Sequence, residues 1–245
     1  MRHRLYLVAP ALFLAATLGA CEEHLGSPPP KVQGTSVDAR PGAIDARPGA
    51  KAPPPSNAAM RLEERVLVAF GDSLTAGLGV TPSEAYPAQL QEKLLLAGYR
   101  YRVVNAGVSG ETTAGALRRV DWVLKSKPEI VILELGGNDG LRGLDLKETR
   151  ANLGQIIERL LAGGAKVVLA GMKLPPNYGA QYTDAFQALY VDLAKHYNVP
   201  LIPFFLEGVA TKTGLNQADG IHPTGSGYTM VVDTLWPTLL PLLKK

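Results

Sequence analysis

The sequence is poor in residues that bind metals or form cross-links. Its 245 residues include one cysteine, Cys21, and four histidines. A lone cysteine excludes an internal disulfide and a cysteine-based zinc site, and no histidines or carboxylates cluster at the spacing of metal ligands. The glycines of residues 71–79 are not followed by the lysine of a P-loop. We therefore expect no metal and no cofactor.

An excess of charge of either sign is also missing. The chain has 25 Lys and Arg against 22 Asp and Glu, for a formal net charge of +3. This near-balance gives no reason to expect nucleic acid or another polyanion as a partner. With 46% hydrophobic and 19% charged residues, the composition suits one soluble domain with additional segments.

Long hydrophobic runs are absent apart from one near the N-terminus. The run Leu5–Leu18 follows two arginines, and the small pair Gly19-Ala20 precedes Cys21. A basic start, a run too short for a comfortable membrane span and a small-residue cleavage site are typical of a secretory signal, here residues 1–20. Residues 18–21 also resemble the bacterial lipobox, which predicts lipidation of Cys21. A plain secretory peptide with an incidental cysteine is the alternative.

Residues 21–60 are rich in Pro, Ala, Gly and Ser and have hardly any apolar periodicity. Such a segment cannot bury a core, so we predict a disordered tether. Together, signal and tether indicate export to a bacterial cell envelope. With a lipid on Cys21, the protein is anchored facing the periplasm, at the outer membrane in a Gram-negative cell. Without it, the protein is periplasmic or secreted.

From residue 61 to residue 245, apolar strand patterns alternate with amphipathic helical patterns. This alternation predicts parallel strands joined by helical crossovers. We expect an α/β fold, a three-layer αβα sandwich with a flavodoxin-like, five-stranded parallel sheet in the order 2-1-3-4-5. The predicted strands are 66–70, 101–105, 130–135, 166–170 and 200–204, and the predicted helices are 84–97, 112–124, 146–162, 182–197 and 226–243, the last broken near Pro237.

Polar and glycine-rich segments follow each predicted strand. Because the carboxyl ends of parallel strands meet at one sheet edge, we expect these segments to converge there. They are Gly71-Asp72-Ser73, residues 105–111, residues 136–140, residues 175–179 and residues 219–223.

Ser73 is the candidate nucleophile, and its hydroxyl needs a neutral imidazole beside it. The predicted domain contains two histidines, His196 and His222. His196 ends a predicted helix, where it can interact with the helix C-terminus. His222 follows Asp219 by three positions, a spacing at which the carboxylate can hold one ring nitrogen. The alternative is a turn stabilised by Asp219 with an exposed histidine.

An acyl-transfer site also needs donors for an oxyanion. The backbone N–H groups of Ser73 and Gly110 and the side-chain amide of Asn138 are candidates. Taken singly, Gly110 also suits a turn and Asn138 a helix cap. Asp72 is interpreted as support for the turn, since Asp219 accompanies the histidine. No Gly-x-Ser-x-Gly elbow encloses Ser73, which argues against the α/β-hydrolase superfamily.

Taken together, four segments of the chain resemble the sequence blocks of the SGNH (GDSL) hydrolases. They are Phe70–Gly77, Asn105–Thr113, Leu135–Gly143 and Asp219–Pro223. The resemblance spans the domain and implies the SGNH hydrolase fold. It also implies a serine nucleophile, a base, an acid and an oxyanion hole at the matching positions, namely Ser73, His222, Asp219, and Ser73 with Gly110 and Asn138.

Within this family the chain is most similar to bacterial periplasmic members that act as acyl-CoA thioesterase, lysophospholipase and arylesterase. The long third block and the segment Leu174–Gly179 carry this closer likeness. It implies a substrate-binding loop at Pro175, Pro176, Asn177 and Tyr178. The second proline of that loop, the lipobox and the tether depart from those relatives.

Three hypotheses about function follow. The first is a monomeric serine hydrolase of acyl esters and thioesters, with small acyl esters or lysophospholipids as substrates and the membrane as partner through a lipid anchor. The second keeps the chemistry but removes acetyl groups from an envelope polysaccharide or peptidoglycan. The third is a non-catalytic, lipid-anchored binding domain.

Overall fold

The computed structural model describes residues 65–245. The predicted signal peptide at residues 1–20, the lipidation of Cys21 and the tether at residues 21–60 lie outside the described residues and stay predictions. The same holds for the predicted start of the domain at residue 61.

The five strands form one parallel sheet in the order β2-β1-β3-β4-β5. This confirms the predicted α/β class and the strand order. Their bounds are Arg65–Gly71 (β1), Tyr101–Gly107 (β2), Ile130–Glu134 (β3), Lys166–Ala170 (β4) and Leu201–Ile202 (β5).

Helices pack on both faces of the sheet, since every residue of the central strand β3 is buried. Among residues 65–245, none of the helices has both the length and the apolar character needed to cross a membrane. The helices are Ser73–Ala76 (α1), Tyr86–Leu96 (α2), Thr113–Leu124 (α3), Gly137–Leu141 (α4), Leu146–Ala162 (α5), Ala180–Tyr197 (α6) and Gly225–Leu239 (α7), with 3₁₀ turns at Pro176–Tyr178 and Leu240–Leu242. Helix α2 contacts α7, whereas α5 contacts both α3 and α6, so the helices form two groups.

The register of the sheet aligns the ends of its strands. Gly71 pairs with Gly107 on one side and with Glu134 on the other, and Glu134 pairs with Ala170. The chain therefore leaves four neighbouring strands at one edge. Side chains distant in sequence can meet there.

Strand β5 is shorter than predicted because prolines flank it. Only Leu201–Ile202 pairs with β4, instead of residues 200–204. Proline has no N–H to donate to a ladder, although the carbonyl of Pro200 still accepts from the Leu169 N–H at 2.9 Å.

The break predicted near Pro237 lies two residues later. Helix α7 includes Pro237 and ends at Leu239. A proline removes one N–H donor from a helix, and so close to the C-terminus little helix follows it. The chain then continues as the 3₁₀ turn Leu240–Leu242.

Two short helices, α1 and α4, were not predicted, because four and five residues are too few to show a helical period. The side chain of Asp72 caps α1 by accepting from the Leu74 N–H at 3.0 Å. Gly136, with φ of 104°, turns the chain from β3 into α4. Both helices lie at the sheet edge where the polar segments meet.

The turn into α4 is held by Tyr190 of α6. The Tyr190 hydroxyl is buried and donates to the Leu135 carbonyl at 2.9 Å. A Cβ atom on Gly136 would lie 2.4 Å from that hydroxyl. The glycine therefore serves both the positive φ and the close approach of the tyrosine.

We expect Tyr190→Phe to lower the free energy of unfolding by about 1–3 kcal/mol, because it removes a buried hydrogen bond. The matched control is Tyr197→Phe on the same helix, whose hydroxyl donates to Glu158 at an exposed site; its cost should stay below about 0.5 kcal/mol. Urea unfolding measures both. Equal effects of the two substitutions would contradict this account of the turn.

Candidate active site

Ser73 is the first residue of α1, directly after the turn that leaves β1, and it is 9% exposed. Helix α1 lies very close to the end of β2. A Cβ atom on Gly107 would approach the Ala76 nitrogen to 2.2 Å. The glycine thus lets the backbone of the serine helix rest on the sheet edge.

The side chains of His222 and Asp219 extend a hydrogen-bonded series that begins at Ser73. His222 Nε2 lies 2.9 Å from Ser73 Oγ, and His222 Nδ1 lies 2.6 Å from Asp219 Oδ2. With the Nδ1 proton donated to the carboxylate, Nε2 is left to accept the serine proton. The structure therefore brings the three predicted residues together in the order acid, imidazole, hydroxyl.

The Asp219 carboxylate is held by its own loop. Its Oδ1 accepts from the N–H groups of Ile221 and His222 at 2.9 and 3.0 Å. Desolvation acts to raise the pKa of Asp219, but these backbone donors and the His222 ring outweigh it and lower the pKa to about 2. The acid is therefore ionised at neutral pH.

Gln217 ties this loop to the segment after the serine helix. Its side-chain amide donates to the Leu78 carbonyl at 2.7 Å and to the Pro223 carbonyl at 2.9 Å. The two contacts bridge the histidine loop and the chain just beyond α1. Gln217 was not singled out in the sequence, because an isolated glutamine carries no pattern.

Asn138, in α4, faces the serine turn, which is the turn at Asp72 and Ser73 between β1 and α1. Its Nδ2 donates to Asp72 Oδ2 at 2.9 Å, and its Oδ1 accepts from Arg142 at 3.5 Å. The amide is thus oriented from both ends. Asp72, expected only to support the turn, caps α1 with one oxygen and holds Asn138 with the other.

Gly110 is joined to Asn138 through the same guanidinium. Its carbonyl accepts from Arg142 Nη2 at 2.9 Å, and its φ is +76°. Gly110 is not among the residues that line the cavity beside Ser73. Arg142 therefore links the Gly110 loop to Asn138.

Asp72, directly before the nucleophile, is a buried carboxyl with a raised pKa. Burial raises its pKa to about 6, against the opposing effects of the Leu74 N–H, the Asn138 amide and the His222 charge. The carboxyl is 2% exposed. Its charge therefore changes in the range where the site is expected to work.

A largely apolar cavity of about 510 Å³ opens beside Ser73. Pro175 and Pro176 of the predicted substrate loop belong to its wall, whereas Asn177 and Tyr178 do not. Tyr178 instead donates its hydroxyl to the Leu141 carbonyl at 2.8 Å. The apolar side chains of the wall are Leu74, Leu141, Met172, Leu174, Phe204, Leu206, Ala210 and Ile221.

A partly buried ion pair behind the serine turn also escaped the sequence analysis. Arg119 binds Glu111 with two nitrogens and donates to the carbonyls of Gly71 and Ala106 at 3.2 and 2.8 Å. It joins the ends of β1 and β2 to the loop of Gly110. The two residues are eight positions apart in the sequence, and Glu111 precedes helix α3. The i, i+3 or i, i+4 spacing that indicates an ion pair on a helix is therefore absent.

The remaining candidates lie elsewhere. His196, at the end of α6, packs edge-on against Tyr197 with ring centres 4.7 Å apart. Within the part of the chain that the structure describes, no group of three or more His, Cys, Asp or Glu side chains could hold a metal ion.

The sequence and the fold of the chain match known proteins. The model of the GDSL-like lipase/acylhydrolase family covers residues 69–230. The chain belongs to this family. This confirms the resemblance recognised in the four sequence blocks, and the chain is an SGNH-type ester hydrolase.

Several characterised relatives of this SGNH hydrolase are similar over most of its length. Esterase TesA of Pseudomonas aeruginosa is 47% identical over 180 residues, covering 73% of this chain and 90% of that protein. Thioesterase 1/protease 1/lysophospholipase L1 of Escherichia coli is 42% identical over 178 residues, covering 72% and 84%. The crystal structure of TesA superposes with a TM-score of 0.71 at 47% identity, covering 73% of this chain and 100% of the other.

We expect kcat/KM of this SGNH hydrolase to fall steeply in acid. Asp72 gains a proton as the pH drops through about 6, and the protonated carboxyl no longer holds the Asn138 amide through a charged acceptor. We therefore expect an acid limb of kcat/KM that is centred at about pH 6. Initial rates on p-nitrophenyl butyrate from about pH 5 to pH 9 measure it.

The matched control for this profile is another helix-capping aspartate. Asp145→Asn removes the charge of the exposed cap of α5 and should keep the wild-type acid limb, whereas Asp72→Asn should move that limb away from about pH 6. An acid limb that is unchanged in Asp72→Asn would rule out a role for Asp72 ionisation.

Proposed function

We propose that the chain is a serine esterase that cleaves carboxylic esters and thioesters of acyl chains through an acyl-enzyme. The observation that carries this proposal is the hydrogen-bonded series Asp219, His222, Ser73 at the wall of an apolar cavity. A hydroxyl, an imidazole and a carboxylate in this geometry form the arrangement of a serine hydrolase.

Acylation begins when Ser73 Oγ attacks the carbonyl carbon of the ester. His222 Nε2 takes the hydroxyl proton, and the ionised Asp219 stabilises the imidazolium. The carbonyl oxygen becomes an oxyanion. The N–H groups of Ser73 and Gly110 and an N–H of the Asn138 amide are the proposed donors to it.

Collapse of the tetrahedral intermediate breaks the bond to the leaving alcohol or thiol. His222 returns its proton to the leaving oxygen or sulfur, and the acyl group stays on Ser73. Water then attacks the acyl-enzyme while His222 accepts its proton. The second tetrahedral intermediate then collapses: the bond from the acyl carbon to Ser73 Oγ breaks, and His222 returns the proton to that oxygen. This releases the free acid and restores the serine.

The cavity supports acyl chains longer than acetyl as substrates. Its wall carries eight apolar side chains beside the prolines Pro175 and Pro176, and an apolar chain gains free energy when it is buried against them. An acetyl group would leave most of about 510 Å³ unfilled. This favours esters and thioesters of longer chains over envelope deacetylation, and the relatives named esterase, thioesterase and lysophospholipase agree with that choice.

For the cellular setting, we propose a monomer tethered to the cell envelope by a lipid on Cys21, acting on small acyl esters or lysophospholipids. The support comes from the sequence, where the single cysteine directly follows the apolar run and small pair of the signal. Lysophospholipids also combine a long acyl chain with the membrane location that such an anchor provides.

We expect Ser73→Ala to lower kcat by about 10⁴-fold or more, because the triad acts as a unit. The same variant should lose covalent labelling by a fluorophosphonate while it keeps the wild-type melting temperature. Ser83→Ala, an exposed serine near the site in sequence, is the control and should label normally. Labelling that persists in Ser73→Ala would disprove the assignment of the nucleophile.

We expect Ala210→Phe to shorten the acyl chains that the enzyme accepts, because the larger side chain fills part of the cavity. Its kcat/KM on p-nitrophenyl decanoate should fall by at least about tenfold, with the value on the acetate ester unchanged. Ala162→Phe, at the exposed end of α5, is the matched control. An equal fall on both esters in Ala210→Phe would contradict acyl binding in this cavity.

A further inference from the structure

Glu134 is a fully buried carboxyl group that the proposed reaction does not use. It is the last residue of β3 and is 0% exposed. Its side chain lies beneath the turn that carries Ser73. A Cβ atom on Gly71 would lie 2.5 Å from Glu134 Oε2 and 2.1 Å from Thr75 Oγ1. The glycine before Asp72 therefore leaves the space that this carboxyl and the threonine occupy.

Both hydrogen bonds of the Glu134 side chain are with residues close to Ser73, in the serine turn and in α1. Its Oε2 accepts from Thr75 Oγ1 at 2.8 Å and, more weakly, from the Asp72 N–H at 3.4 Å. These two residues stand on either side of Ser73 in α1 and its cap. Glu134 Oε1 is buried without a hydrogen-bond partner among residues 65–245.

The surroundings of Glu134 favour its uncharged form. The groups that face it are Asp72 from the turn, Thr75 from α1, Tyr86 from α2, Tyr190 from α6 and Tyr228 from α7. Burial and then the nearby Asp72 charge raise the pKa of Glu134 well above its usual range. Both oxygens of the Asp72 carboxyl accept hydrogen bonds, from the Leu74 N–H and from Asn138. The two donors to Glu134, in contrast, both reach Oε2.

We propose that Glu134 is a positioning residue that acts as a neutral acid. Its Oε2 fixes the serine turn through Thr75 and the Asp72 N–H. Because Glu134 keeps its proton, Asp72 carries the single negative charge of the pair. That charge then holds the amide of Asn138 at 2.9 Å. The chain of contacts thus runs from the core through the serine turn to the proposed oxyanion donor, and it rests on the catalytic roles proposed above.

The first test compares an isosteric neutral variant with an apolar one. Glu134→Gln keeps one acceptor and one donor and should retain kcat within about threefold. Glu134→Leu removes both and should lower kcat by about 10- to 100-fold with KM changed less than about threefold. Rates on p-nitrophenyl butyrate and near-UV circular dichroism are measured for both. A kcat that falls as far in Glu134→Gln as in Glu134→Leu would overturn the neutral-acid role, and an unchanged kcat in Glu134→Leu would overturn the positioning role.

The second readout is the pH profile, which a merely structural residue would not move. The neighbouring Glu134 side chain is one of the causes that lower the pKa of Asp72, so its loss should raise that pKa. The acid limb of kcat/KM should therefore shift to higher pH in Glu134→Leu and stay in place in Glu134→Gln. An acid limb that shifts equally in both variants, or in neither, would refute the coupling.

Thr75→Val decides the matter where Glu134→Leu does not fold. It keeps the shape of a buried side chain and removes only the hydroxyl that bridges to Glu134. We expect kcat to fall by about fivefold or more at constant KM, and a wild-type kcat would overturn the proposal. Ser73→Ala separates the two levels. Activity that survives in it refutes the catalytic roles themselves, whereas its loss together with wild-type behaviour of the Glu134 and Thr75 variants refutes this inference alone.

Discussion

The parallel register of β1, β2, β3 and β4 is the constraint on which the rest of the structure depends. Because Gly71, Gly107, Glu134 and Ala170 are aligned across the sheet, four loops begin at one edge. The serine turn, the Gly110 loop and helix α4 all start there. A slip of one strand would turn its side chains to the other face and separate the groups that now meet around Ser73.

The sheet brings the loops of the site to one edge, and polar contacts then fix their positions relative to one another. Arg119 and Arg142 join the Gly110 loop to the serine turn and to Asn138, and Tyr190 fixes the entrance to α4. Beneath them the buried pair Asp72 and Glu134 sits where an apolar core would be more stable. Such groups persist where the geometry they impose serves a purpose, and here their contacts point toward the reacting hydroxyl.

Much of this could be predicted from the sequence. The alternation of strands and helices indicated the sheet and its order. Because loops after parallel strands converge, Ser73, Asn138, Asp219 and His222 were candidates, and the resemblance of the four blocks to the SGNH hydrolases implied their roles. Helices α1 and α4 could not be predicted, since their stability comes from caps and tertiary contacts that show no period. Glu134 gave a weak signal as one acid at the end of an apolar run. Its partners lie 59 and 62 positions away, and only the folded chain brings them together.

The loop that carries Asp219 and His222 has one more consequence. Both backbone donors to Asp219 come from the next three residues, and the ring bond closes within the same short loop. The acid and the base therefore form a local unit, whose hydrogen bonds to one another all lie within residues 219–222. The contact that depends on the tertiary fold is the one between the His222 ring and the Ser73 hydroxyl. Gln217 connects the two segments that carry these side chains. Catalytic geometry in such a protein should be most sensitive to changes in how the histidine loop and the serine segment contact each other, rather than to changes within either segment.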